Sequence, residues 1–211
     1  MSVERTKAIE RSVDSLQQIY AVVISLAIAQ AIQSLLKGSI NGADLSFDYL
    51  ASGLSAFTAF SVTVVPFWHG MNRHLDRCYL AKTTPVAHGA LLLDFVTFFL
   101  EASLLFAAGW SLRSGIYTFV CLGLLLATDM AWAFVSHQIH FRGKKSHAHR
   151  WSTINLVAMA AAFLAVELPF NSEPLVLMVI AVLRSIVDYW LCWEFYFPIV
   201  GVQHASSSPG A

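Results

Sequence analysis

Apolar residues run through this chain in six long stretches separated by short polar gaps: Ile19–Leu36, Tyr49–His69, Gly89–Trp110, Gly115–Ser136, Ile154–Phe170 and Pro174–Phe197. Crossing about 30 Å of hydrocarbon at 1.5 Å per residue takes roughly 20 mostly apolar residues, and these windows meet that need. The fifth is the shortest and carries Glu167 near one end. The runs are continuous rather than alternating, which predicts helices and not barrel strands. Helices are also what lipid demands, since no water is there to satisfy the backbone. The pattern therefore predicts an all-α, polytopic membrane helix bundle with six transmembrane helices over residues 19–197. A polar segment, 1–18, precedes it and a flexible tail, 198–211, follows.

Composition agrees. Hydrophobic residues make up 57% and charged ones 12%, with a mean hydropathy of +0.63. A soluble domain is nearer half apolar and a quarter charged. Basic residues set the orientation. Ten lie in alternate gaps: Arg5, Lys7, Arg11, Arg73, Arg77, Lys82, Arg142, Lys144, Lys145 and Arg150. Only Lys37 and Arg113 lie in the others, and Arg184 is inside the sixth window. The positive-inside rule then places both termini in the cytoplasm. Trp68, Trp132, Trp151, Trp190, Trp193 and Tyr196 gather near that boundary, and Tyr49, Trp110 and Tyr117 near the other, as headgroup-level aromatics do. Glu4, Glu10 and Asp14 suit a secretory leader poorly, so no cleavage is expected. Cys78, Cys121 and Cys192 are too few and scattered for a disulfide framework. With zero formal net charge there is no basic surface for nucleic acid. The expected setting is a multi-pass protein of a bacterial inner membrane or an organelle membrane, with the lipid bilayer as its first partner.

Ionisable residues at mid-membrane cost at least ~2.5–3.5 kcal/mol on insertion scales and usually face the protein interior. Five stand out: Asp94, Glu101, Asp129, Arg184 and Asp188. Helix rise puts Glu101 at roughly 16 Å and Arg184 at roughly 14–18 Å from the inner end, with Asp129 and Asp188 at roughly 8–12 Å. Asp94 and Glu101, seven residues apart, share a helix face, and Arg184 and Asp188 form an i,i+4 pair. Two readings follow. One is a polar path for a cation or proton, since four acids face one arginine. The other is a structural bridge, either Glu101–Arg184 or Asp188–Arg184.

The first window differs in character. Ala21, Ser25 and Ala29 form a small-xxx-small ridge. Gln18, Val22, Ser25, Leu26, Ala29 and Gln33 fall along one stripe that suits a helix contact or a narrow pore wall. Arg11, followed nine residues on by Tyr20-Ala21-Val22-Val23-Ile24-Ser25-Leu26, resembles the first-helix signature of the filterless endolysosomal-type potassium channels. Bacterial members of that family have about this length and six helices. Phe67-Trp68-His69-Gly70-Met71-Asn72-Arg73-His74 is similar to the inner end of their second helix. The family's Phe-Ser-Asp falls on Ser15-Leu16-Gln17, so no carboxylate stands there, and Asp14 is three residues early. The resemblance implies a homo-oligomer conducting a monovalent cation, with the first helix around the pore and Val22 or Leu26 at the constriction. It implies that His69, Asn72, Arg73 and His74 form a polar cluster at the inner mouth, and that Gln17 stands in for the missing acid.

No Thr-Val-Gly-Tyr-Gly filter and no arginine ladder are present. Seven histidines, His69, His74, His88, His137, His140, His147 and His149, fall toward the inner side. Their spacings resemble the boxes of membrane di-iron desaturases, but the paired His-His is missing. They read as a basic, solvated rim able to respond to pH. Nucleotide-loop, zinc-protease and hydrolase motifs are absent. The expectation is a non-enzyme with no cofactor and no bound metal: an oligomeric cation channel, potassium favoured. The alternatives are a proton- or ion-coupled small-solute transporter using the acid–arginine group, a membrane sensor with a cytoplasmic protein partner, and, last, a metal-dependent membrane enzyme using the histidines. Pro66 is expected to kink the second helix.

Overall fold

The computed structural model describes residues 3–40, 47–81, 88–114, 116–140, 148–167 and 173–198. These residues are helical almost throughout. The long helices are α1 (Val3–Ile40), α2 (Phe47–Leu75), α3 (His88–Trp110), α4 (Ile116–His140), α5 (Ala148–Glu167) and α6 (Glu173–Leu191), followed by a single turn, α7 (Trp193–Tyr196). A π turn, Asp76–Leu80, extends α2, and a 3₁₀ turn, Ser111–Ser114, extends α3. Among the described residues four segments are long and apolar enough to cross a bilayer: Lys7–Leu36, Gly89–Trp110, Ile116–His140 and Pro174–Leu191.

Each expected window contains a helix, but the ends differ. Helix α1 begins far ahead of Ile19, because its charged first turns still bury Val13 and Leu16. Helix α5 is described to Glu167, so Leu168–Phe170 of the fifth window lie outside the described residues. The sixth window is broken at Cys192, ahead of α7.

Neighbour contacts close a ring in the order α1, α3, α4, α5, α6, α2 and back to α1. Hydrogen bonds fix which ends meet. Gln17 reaches Asp76, His74 reaches Asp94, Tyr79 meets His140, and Arg150 donates to the Leu191 carbonyl. These residues define one end of the bundle, the histidine end. Ser34 meets the Trp110 carbonyl at the other.

The surface is that of an integral membrane protein. Large apolar side chains are exposed on every long helix, among them Val22, Val65, Phe99, Phe134, Phe163 and Trp190. A helix apolar all round belongs in hydrocarbon. Inside, small residues carry the packing: Ala27, Ala31, Ala56, Ala59, Ala102, Ala108 and Ala133 are buried. Helices α1 and α3 approach closely: a Cβ at Gly109 would stand 2.6 Å from the Ala27 carbonyl oxygen. The contact face of α1 is thus Ala27 and Ala31. The small ridge of Ala21, Ser25 and Ala29 expected for helix contact points elsewhere, with Ser25 and Ala29 exposed.

Pro66 sits inside α2 without ending it. Proline lacks an N–H, so the carbonyl four residues back, on Val62, loses its helical donor. The Ser185 hydroxyl of α6 donates to that carbonyl at 2.8 Å. This bond ties α2 to α6 where the helix cannot satisfy itself. Ser185→Ala is expected to lower stability by about 0.6–1.7 kcal/mol, the range for interhelical bonds in membranes. With Pro66→Ala the helix regains its donor, and the serine substitution becomes neutral. A four-protein unfolding cycle in detergent measures this coupling. Equal serine effects in both backgrounds would contradict it.

Candidate functional site

Two polar centres lie inside the bundle, and α3 contributes to both. Asp94 and Glu101 do share its inward face, both almost fully buried. Seven residues of rise separate them by about 10 Å, and that places them in different surroundings.

Asp94 belongs to the histidine end. Trp132 Nε1–H donates to its Oδ1 at 2.8 Å, and the Tyr79 hydroxyl donates to Oδ2 at 2.7 Å. His74 Nε2 lies 3.0 Å from Oδ2, and His140 Nε2 lies 3.7 Å from it. Cys78 Sγ stands 3.7 Å from His74 Nδ1. Burial, reinforced by the Asp94 carboxylate, holds the Tyr79 hydroxyl well above its ordinary range, so it remains a donor. Helix periodicity brings His74 and Cys78 one turn apart, while α4 delivers Trp132 and, two turns later, His140.

Glu101 faces the second centre. Arg184 donates through Nε and Nη2 to Asn155 Oδ1 at 3.0 and 2.8 Å. Asn155 Nδ2 donates onward to Asp129 Oδ2. Arg184 Nη1 lies 3.5 Å from Asp188 Oδ2, which also accepts from the Tyr196 hydroxyl at 3.0 Å. Arg184 covers the Phe67 ring at 5.2 Å. Of the two bridges open from sequence, the intrahelical Asp188–Arg184 pair forms. Among the described residues no ion pair joins Glu101 to Arg184, and Asp94 takes no part in this centre.

A cavity of about 30 Å³ is lined by Glu101, Asp129, Trp151, Arg184, Asp188 and Tyr196, with Phe98 and Trp132 among its apolar walls. Water needs about 10–15 Å³. Glu101 Oε1 and Arg184 Nη1 are buried with no hydrogen-bond partner among the described residues. Both belong to residues that line this cavity. Phe98 and Trp132 also touch the His74 ring, at 6.1 and 4.5 Å between centroids, and so partition the two centres. A second, apolar cavity of about 380 Å³ lies among α4, α5 and α6, from Ile116 and Glu167 to Arg184.

The other sequence candidates are distributed as follows. Gln18, Val22, Ser25, Leu26, Ala29 and Gln33 all lie on the uncovered face of α1. The buried face carries Val13, Leu16, Tyr20, Ile24, Ala27 and Ala31. His69, Asn72, Arg73 and His74 are not brought together. His69 packs among Tyr189, Tyr196 and Phe197, tilted to the first two rings and edge-on to the third. Asn72 bonds back to the Trp68 carbonyl at 2.8 Å. Arg73 donates to the Phe195 carbonyl at 3.3 Å and pairs with Asp76 at 3.4 Å. Gln17 donates to Asp76 at 3.2 Å, so α1 is joined to the π turn that extends α2 through an acid there instead of one on α1.

Sequence reasoning passed over Asn155, Tyr79 and Cys78. Asn155 stands one residue inside the fifth window and reads as a boundary residue, and its amide in an apolar run was the signal available. Tyr79 and Cys78 lie beyond the second window, where hydropathy carries no information. No family model, no curated protein and no solved structure matches this chain.

Proposed function

We propose that this chain is the subunit of a cation channel, potassium favoured, in which several copies surround a pore lined by α1. The proposal takes all six long helices as crossings, with both ends of the chain in the cytoplasm. The 29 and 20 residues of α2 and α5 reach about 43 and 30 Å at helical rise. The basic residues of alternate gaps support the orientation.

The observation that carries the reading is the face of α1. One side is buried against α3 and α2. The other side presents Gln18, Ser25 and Gln33 among Val22, Leu26 and Ala29, exposed among the described residues. Amides are costly in hydrocarbon, whereas a pore wall or a neighbouring copy gives them partners. Six helices cannot enclose a first-helix pore alone, so the reading requires a closed ring of subunits.

Purified protein in planar bilayers with potassium salts is expected to show unitary currents. A Ser25→Cys variant is expected to lose most of its current on thiol modification, while wild type, whose cysteines are buried or half-buried, keeps it. A strictly monomeric protein in detergent would end this model.

The second centre favours one other reading, a proton- or ion-coupled transporter. Three acids and one arginine line a small internal cavity, and the larger apolar cavity also reaches Arg184. Bilayers without unitary currents, together with pH-gradient-driven uptake in liposomes that Glu101→Gln abolishes, would select it.

A further inference from the structure

We propose that His74, Cys78 and His140 form a binding site for one transition-metal ion of the zinc type at the histidine end of the bundle. The site is independent of what crosses the membrane. Its three ligand atoms all lie within 4.8 Å of one another. His74 Nδ1 and Cys78 Sγ are 3.7 Å apart. A tetrahedral zinc with bonds of about 2.0–2.1 Å to nitrogen and 2.3 Å to sulfur sets those two atoms about 3.6 Å apart. The two ligands therefore stand close to coordinating distance before any ion arrives.

The surroundings are those of a metal-binding histidine. His74 turns Nε2 to the Asp94 carboxylate at 3.0 Å, leaving Nδ1 on the side of Cys78. A carboxylate on the far nitrogen orients the ring and raises its basicity as a ligand. Asp94 is itself held by Trp132 and Tyr79, so the orienting shell is rigid. The side chains of His74, His140 and Asp94 are 3%, 2% and 0% exposed, and Cys78 is fully buried. The π turn that closes α2 contains both Cys78 and Tyr79. Such turns recur at functional sites.

Two imidazoles and one thiolate make a borderline-soft set. They suit zinc, cobalt(II) or copper, and exclude magnesium and calcium, which take oxygen ligands. Zinc takes the Cys78 thiolate, and the thiol proton leaves to solvent. Three protein ligands leave the fourth tetrahedral position to a water. Closing the site joins the end of α2 to the end of α4, with α3 held through Asp94.

The test uses full-length protein in detergent, stripped with chelator and titrated with cobalt(II) or zinc. One cobalt per chain is expected, with a thiolate-to-cobalt charge-transfer band that Cys78→Ser removes. His140→Gln is expected to weaken zinc binding by about 10–100-fold. His137 and His149, whose rings lie 4.5 Å apart, offer a rival site, so His149→Ala is expected to change nothing. A readout that needs no variant is the thermal unfolding midpoint of stripped wild type, which excess zinc is expected to raise because the ion joins the end of α2 to the end of α4. Absence of stoichiometric binding, binding lost with His149→Ala but kept in Cys78→Ser, or a midpoint indifferent to zinc would each overturn the proposal. The cluster would then be a hydrogen-bonded brace only.

Discussion

Replacing Asp94 with alanine is expected to lower the unfolding free energy of the detergent-solubilised protein by about 3–5 kcal/mol. The carboxylate accepts from Trp132 Nε1–H and the Tyr79 hydroxyl and faces His74 Nε2, all within 3.0 Å. Alanine takes the acceptor from Trp132 Nε1–H and the partner from His74 Nε2, and leaves the Tyr79 hydroxyl only the His140 Nε2 at 3.5 Å. A buried polar group left unsatisfied costs about 1–3 kcal/mol. Interhelical bonds in membranes sit at the low end, up to about 1.7 kcal/mol each, because the unfolded chain in detergent also finds partners. Three such losses give the stated range. Asp94→Asn keeps an acceptor for Trp132 but turns an amide toward Tyr79 and His74, so roughly half the loss is expected. Denaturant titration followed by tryptophan fluorescence measures both. A loss below about 1 kcal/mol for the alanine variant would mean that this centre does not hold α2, α3 and α4 together.

Arg184→Met is expected to be equally damaging, at about 3–5 kcal/mol, for a different reason. Arg184 is the cation among the residues that line the internal cavity, against Glu101, Asp129 and Asp188. Breaking a buried pair by removing one partner leaves an uncompensated charge, and that loss is larger than the worth of the pair itself. Asn155 also loses the two guanidinium donors that fix its amide against Asp129. The methionine retains the contact over Phe67, so packing is largely preserved. The double variant Arg184→Met with Asp188→Leu is expected to recover more than half of the loss, since the orphaned carboxylate is gone. No recovery in the double variant would show that Asn155 and Asp129, and not Asp188, are the groups Arg184 serves.

The two centres illustrate how far a one-dimensional reading reaches. Summed hydropathy finds a long helix in each of the six windows, and in four described segments the helix is long and apolar enough to cross a bilayer. The same sum is blind where a helix continues into charge. Helix α1 starts at Val3 and α2 runs on through the π turn to Leu80, since local hydrogen bonding, not greasiness, decides those ends. Asp94, Glu101, Asp129, Arg184 and Asp188 are visible as costly residues from sequence, and helix rise estimates their depth. It does not give their azimuth. Glu101 and Arg184 sit at matching depth yet form no ion pair, because Arg184 is turned to Asn155 and Asp188. Asp94 lies on the same face as Glu101 yet serves His74, because Phe98 and Trp132 stand between the two.

What the chain's own letters determine is therefore the class: an all-helical membrane protein whose mid-span ionisable groups face inward, as the cost of charge in hydrocarbon requires. What the tertiary structure alone decided is which polar groups meet. Partner choice depends on the rotation of each helix about its axis and on who its neighbour is. The ring order α1, α3, α4, α5, α6, α2 sets both, through small-residue contacts such as Gly109 on Ala27 that the linear pattern does not encode.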